Sequence, residues 1–178
     1  MDNRKIGVFD SGVGGLTVFS EIIKQLPSED IIYIGDTKRF PFGNKSKESI
    51  ISISKQIVNY LILQDVKLIV IACGTATSQA LEELRKIYKI PIIGIIEPTI
   101  ENCIKEDTKR VGIIATKGTI RSGEWEKQIK QKNNNIETIS IETPLLASMA
   151  EEGWTQNQVA KAAIKEYMKE FKNTKIEK

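Results

Sequence analysis

Leu68-Ile69-Val70-Ile71-Ala72-Cys73-Gly74-Thr75 is the stretch that decides the architecture. Its apolar run is far too short to cross a bilayer, and a strand with one wet face would alternate apolar with polar residues instead. A strand that is apolar on consecutive residues is covered on both faces, as in a parallel sheet with helices on either side. The small and polar residues that follow suit the turn into the next helix.

Outward from this stretch, short Ile/Val-rich runs alternate with segments of helical period along nearly the whole chain, the mark of βαβ units. Strands are predicted at Lys5–Phe9, Ile31–Gly35, Leu68–Ala72, Pro91–Ile95, Arg110–Ala115 and Ile136–Ile141. Between them, Leu16, Phe19, Ile22/Ile23 and Leu26 form one helical stripe that Pro27 ends. Ile50, Ile53, Ile57 and Leu61 form another, flanked by Ile51, Val58 and Ile62, with Ser46 placed as its cap. A last helix is expected at roughly Gln156–Phe171, with no strand after it. The tightest candidate boundary is Glu97-Pro98, because proline disfavours helix in the residue before it.

Composition narrows the function classes. With 178 residues, 40% of them hydrophobic and 28% charged, the chain can bury a core and is neither low-complexity nor membrane-spanning. The balance of 26 basic and 23 acidic side chains gives a formal charge of only +3, so no strong field for nucleic acid or anionic lipid is expected. Met1–Lys5 carries no signal-peptide pattern, and a cytoplasmic protein is expected. Two cysteines make no disulfide framework, and the absence of histidine removes Ser-His-Asp and Cys-His chemistry and most zinc sites. No Cys/Asp/Glu cluster has metal spacing, and neither a metal nor a cofactor is expected.

In open parallel sheets, ligands bind where strands end and loops enter helices. The loop Asp10-Ser11-Gly12-Val13-Gly14-Gly15 lacks the Gly-Lys-Ser/Thr ending of a nucleotide-binding P-loop. Asp10 could receive an ammonium while Ser11 and nearby N–H groups receive a carboxylate; equally, Asp10 or Ser11 could simply cap the next helix. Cys73 falls at a helix start, where the positive helix end lowers a thiol pKa and favours the thiolate, a place for a base or nucleophile. The same position also suits an inert core thiol. Ile100, Cys103 and Ile104 share a helical spacing, so Cys103 is expected to pack a core face. Thr116 and Thr119 are expected to cap a helix, with an anion as the alternative partner of their hydroxyls.

Taken together, the segments 6–17, Tyr33-Ile34-Gly35-Asp36-Thr37, 41–46, 71–76, 94–98 and Glu151-Glu152-Gly153-Trp154 resemble, in order and separation, the glutamate racemases of the aspartate/glutamate racemase family. The resemblance implies an α/β fold of two similar parallel-sheet domains, 1–97 and 98–178, with the site in the cleft between them. It implies a cofactor-independent isomerase acting on L- and D-glutamate and supplying D-glutamate for peptidoglycan and so for cell shape. In that family two cysteines work on opposite faces of Cα, one as thiolate and one as thiol. By position, Cys73 is the first of these acid/base residues, and Asp10, Ser11, Phe42, Gly43, Gly74 and Thr75 fall on substrate-binding positions. A small-molecule substrate, no nucleic acid, no membrane and a homodimer like that of many relatives are the matching expectations.

Three departures stand out. Cys73-Gly74-Thr75 replaces the family's Cys-Asn-Thr, and Pro41-Phe42-Gly43 replaces Pro-Tyr-Gly. The family's second cysteine lies in a Gly-Cys-Thr-His segment, and this sequence ends at Lys178 before such a segment. The expectation is therefore a second domain that is incomplete, a first domain without its C-terminal return, and apolar surface exposed in both. One thiol could exchange the Cα proton of one enantiomer with solvent without inverting the centre. A catalytically silent amino-acid-binding or interaction module is the alternative reading, and an aspartate racemase a third.

Overall fold

The computed structural model describes residues 2–105, 107–172 and 174–178. The chain runs β1 (Lys5–Asp10), α1 (Leu16–Gln25), β2 (Ile31–Gly35), α2 (Lys47–Leu63), β3 (Val66–Ile71), α3 (Gly74–Ile87) and β4 (Ile92–Gly94). It continues through α4 (Ile96–Cys103), β5 (Arg110–Ala115), α5 (Lys117–Ser122), α6 (Glu124–Lys132), β6 (Glu137–Glu142), α7 (Pro144–Glu151) and α8 (Gln158–Met168). All six predicted strands are present, in two parallel sheets of order β2-β1-β3-β4 and β5-β6.

One face of the first sheet packs on α2 and α3. Phe9, Ile69 and Ile71 meet Ile50, Ile57, Leu61, Ala80 and Leu84 there in a closed core. Leu61 leaves no room for a side chain at position 7, where a Cβ would lie 3.0 Å from its Cδ1, so Gly7 lets α2 approach the sheet. On the opposite face Ile6, Val8 and Ala72 pack with Val18, Phe19 and Ile22 of α1, which has no fully buried residue. Leu16 and Ile23 of that helix, and Leu26 just after it, are exposed.

The second sheet packs on α4 and α6 through Ile96, Ile100, Val111, Ile113 and Ile129. Two readings differ from the structure here: Pro98 does not keep Glu97 out of a helix, and Cys103 does not pack a core face. Glu97-Pro98 lies inside the first turn of α4, where proline's missing N–H costs no helical bond, and Ile96 before it belongs to the second core. Cys103 is exposed: Ile100 and Ile104 are the buried members of that stripe, and α4 ends at Cys103 itself.

No strand follows α8 among the described residues, as expected, yet the tail lies against β5. The Glu177 N–H donates to the Arg110 carbonyl at 3.2 Å and the Gly112 N–H to the Lys178 carbonyl at 2.9 Å. Lys109 instead turns its carbonyl to Glu137 of β6, so the tail follows the other edge of β5. A sheet edge with unpaired N–H and C=O groups recruits extended backbone whatever its side chains.

Candidate active site

β1 and β3 lie side by side, so their carboxyl ends deliver Asp10 and Cys73 to one place. Asp10 is buried, and its Oδ2 accepts the N–H groups of Gly12 at 3.1 Å and Gly15 at 2.9 Å. A carboxylate thus holds the glycine loop in its turn, while α1 starts at Gly15 with no side-chain cap; among the described residues no hydrogen bond reaches Oδ1. Gly15 must be glycine, because a Cβ there would lie 2.5 Å from the Asp10 Cβ and 2.9 Å from the Tyr33 hydroxyl.

Cys73 is the N-cap of α3. Its Sγ accepts the Ala76 N–H at 3.4 Å and donates to Ser11 Oγ at 3.4 Å. The thiol is therefore beside the loop and not remote from it. The expected low thiol pKa is overturned: burial first, and the nearby Asp10 charge second, push it up to about 11. Hydrogen bonds from Ser11 and the start of α3 pull it down, but by less. The resting group at neutral pH is the thiol.

The remaining residues divide by where they sit. Thr75 Oγ1 lies 2.9 Å from Thr116 Oγ1 and 3.2 Å from Thr119 Oγ1, a hydroxyl triangle joining α3 of the first lobe to the start of α5 in the second. Thr116 also caps α5 through the Thr119 N–H, as expected. Gly43 packs against Thr116, where a Cβ would lie 2.5 Å from the threonine Cβ. Gly74 faces open space, with no atom within 4 Å of where a Cβ would be. Phe42 is 1% exposed and belongs to the first core, so it supports the loop from below.

Two residues escaped the sequence reading of chemistry. Glu151, at the end of α7, accepts the Val13 N–H at 2.7 Å and fills the space where Gly12 would carry a side chain. Tyr33 donates from its hydroxyl to the Gly12 carbonyl at 2.8 Å. Burial, with the Asp10 and Glu151 charges behind it, holds that phenol well above the usual range, so it remains a donor. Both lie in segments that carry the family resemblance, which was the available signal. No group of three or more potential metal-ligating side chains occurs among the described residues, and no helix among them is long and apolar enough to cross a membrane.

Fold and site together define a two-lobed α/β protein with a buried thiol, a carboxylate and a ring of hydroxyls at the carboxyl ends of parallel strands. The Asp/Glu/hydantoin racemase model matches residues 6–178, and the chain belongs to that family. It is 48% identical to the glutamate racemase of Geobacter metallireducens over 166 residues, covering 93% of this chain and 62% of the relative. Its backbone matches the glutamate racemase of Francisella tularensis solved with D-glutamate at a TM-score of 0.93 and 42% identity, covering 99% of this chain and 66% of that one. The chain spans about 62% of the length of the Geobacter relative and of the Lactococcus lactis enzyme to which it is 46% identical.

Proposed function

We propose that the chain carries the first half of a cofactor-independent glutamate racemase site, built on two domains, 1–97 and 98–178. The observation that supports this most is the hydrogen bond between Cys73 and Ser11, with the Asp10 charge near enough to act on the thiol, at adjacent strand ends. Bound glutamate would place its ammonium by Asp10, and its carboxylate by the Ser11 and Thr75 hydroxyls, Gly74 and the backbone of Gly43, with Phe42 supporting that backbone. The ammonium offsets the Asp10 charge, which is the second cause of the raised thiol pKa, so substrate itself makes the thiolate easier to form.

In the step that follows, Cys73 as thiolate takes the Cα proton. The C–H electron pair moves into the carboxylate system, where the hydroxyls and N–H groups stabilise it. Return of a proton from the same sulfur, after exchange with solvent, restores the starting enantiomer. Inversion needs a donor on the opposite face, and Cys103, exposed on α4, is not among the groups joined to this site. In the whole protein the reaction would interconvert L- and D-glutamate for peptidoglycan synthesis in the cytoplasm, and the exposed apolar residues of α1 favour a homodimer.

Incubation with L- and D-glutamate in deuterated water tests the reading. Solvent deuterium should enter Cα of one enantiomer and Cys73→Ala should abolish the exchange; exchange that survives the substitution defeats it. The open space at Gly74 and the protonated resting thiol favour the silent binding module as second reading, whose signature is binding without exchange. Aspartate in a parallel reaction separates the third.

A further inference from the structure

The peptide joining Gly12 to Val13 is gripped from both sides. Its carbonyl accepts the Tyr33 hydroxyl at 2.8 Å, and its N–H donates to Glu151 Oε1 at 2.7 Å. In a trans peptide these two groups point in opposite directions, so the phenol of β2 and the carboxylate of α7 hold one rigid plane between them. One bond earlier, the Gly12 N–H donates to Asp10 Oδ2 at 3.1 Å. Gly12 is therefore fixed through both of its backbone groups, by Asp10 and by Tyr33, which leaves little freedom at its φ and ψ.

The carbonyl is also wedged sterically. A Cβ at position 35 would lie 2.6 Å from the Gly12 oxygen and 3.3 Å from Cε1 of Tyr33. The carbonyls of Val13 and Gly14 go to the start of α1, where the N–H groups of Leu16 and Thr17 donate to them. The phenol is the only partner of the Gly12 carbonyl among the described residues. Its ring is seated against Phe19, with centroids 5.5 Å apart, so the hydroxyl is aimed by packing outside the loop. Ser11 is bonded directly to this anchored glycine, and its Oγ accepts the Cys73 thiol at 3.4 Å. With Gly12 held, the backbone of Ser11 is held too, and its side chain has only a choice of rotamer.

We propose that Tyr33 is a positioning residue for the Cys73 thiol: by fixing the Gly12 carbonyl, its hydroxyl keeps Ser11 Oγ on the sulfur. A serine hydroxyl kept there accepts from the thiol and, turned about its own C–O bond, donates to the thiolate, so it serves both protonation states. The catalytic side of this role rests on the racemase reading; its effect on the thiol does not. Asp10 on β1 bears on both the sulfur and the phenol, and Glu151 on α7 bears on the phenol. Because the phenol stays neutral through the range in which the thiol titrates, Tyr33→Phe removes a hydrogen bond without changing a charge.

Titration of the thiol tests the proposal. In the 178-residue chain carrying Cys103→Ser, which leaves a single cysteine, NMR of isotope-labelled Cys73 Cβ follows the thiol through its midpoint at about 11. Ser11→Ala should raise that midpoint, since it removes a hydrogen bond that favours the thiolate. Tyr33→Phe should raise it too, by roughly half a pH unit. It should add nothing in the Ser11→Ala background, where no hydroxyl is left to position. Phe19→Leu loosens the ring contact but keeps the phenol, so it should lower the unfolding midpoint and leave the thiol where it is. With glutamate in deuterated water, Tyr33→Phe should slow Cα exchange at saturation about tenfold or more, with the apparent KM within about twofold of the parent. Absence of exchange in the parent defeats the racemase reading alone, and the thiol midpoints still decide the role of Tyr33. A midpoint unmoved or lowered by Tyr33→Phe, a shift that persists in the Ser11→Ala background, an equal shift with Phe19→Leu, or exchange at the parent rate in Tyr33→Phe overturns the proposal.

Discussion

The sulfur of Cys73 is drawn two ways. The first turn of α3 and Ser11 favour its anion, while burial and Asp10 favour the neutral thiol, and the second pair prevails, lifting the pKa from 9.0 to about 11. Between those two values the folded chain keeps a proton that the unfolded chain has lost. The stabilisation this represents is fully present below about pH 9 and is lost as pH climbs through about 11. Cys73→Ala removes the group and with it that slope. The difference in urea-unfolding free energy between parent and variant should therefore shrink from pH 9 to 11, by an amount on the order of 2 kcal/mol. A difference that stays flat across that range would mean the thiol is not desolvated as described. The position of Cys73 was legible, because an apolar run followed by Gly and Thr marks a strand-to-helix junction. Its protonation was not, because desolvation and the distance to Asp10 depend on how β1 and β3 are brought together.

Helix starts were the most readable elements, since each needs an acceptor for its free N–H groups. Ser46 accepts the Ser49 N–H and Thr116 that of Thr119, both expected as caps, whereas Asn157, which accepts the Ala160 N–H, was expected inside the last helix. Short elements were harder: α7 has too few turns to show a period, although its Glu151 reaches back to the glycine loop. The start of α3 is unusual because its first residue, Gly74, has no neighbour within 4 Å of where a Cβ would be, beside the thiol and the hydroxyl triangle. Gly74→Asn would meet no steric barrier and would restrict the unfolded chain, so folding stability should hold or rise slightly. An amide there could reach a bound amino acid. A hydrogen bond on the order of 1–3 kcal/mol corresponds to glutamate affinity roughly tenfold or more tighter, measurable by calorimetry. Unchanged affinity in a stably folded variant would show that position 74 does not face the ligand.

At the scale of the whole molecule, six strand-length runs and their alternation with helices were enough to set the α/β class, because consecutive apolar residues admit few other solutions. The resemblance put the first four strands and the last two in different domains, and they lie in different sheets; the order β2-β1-β3-β4 within the first sheet was not legible, because only packing decides it. The lobes meet where backbones come unusually close, and Gly43 is the sharpest case. A Cβ there would lie 2.5 Å from the Cβ, 2.8 Å from the Oγ1 and 2.9 Å from the Cγ2 of Thr116. Thr116 cannot swing aside cheaply, because its χ1 is restricted and its hydroxyl is engaged with Thr75 and Thr119. Gly43→Ala should therefore wedge the lobes apart, costing about 1–3 kcal/mol and lowering the unfolding midpoint. Gly74→Ala, which adds the same methyl group to open space, is the matched control and should leave the midpoint near that of the parent. Equal midpoints for the two alanine variants would mean that close approach at Gly43 does not hold the lobes together. A loss confined to Gly43→Ala would place the rigidity of the cleft in the single contact between residues 43 and 116, and with it the alignment of Thr75 beside Cys73.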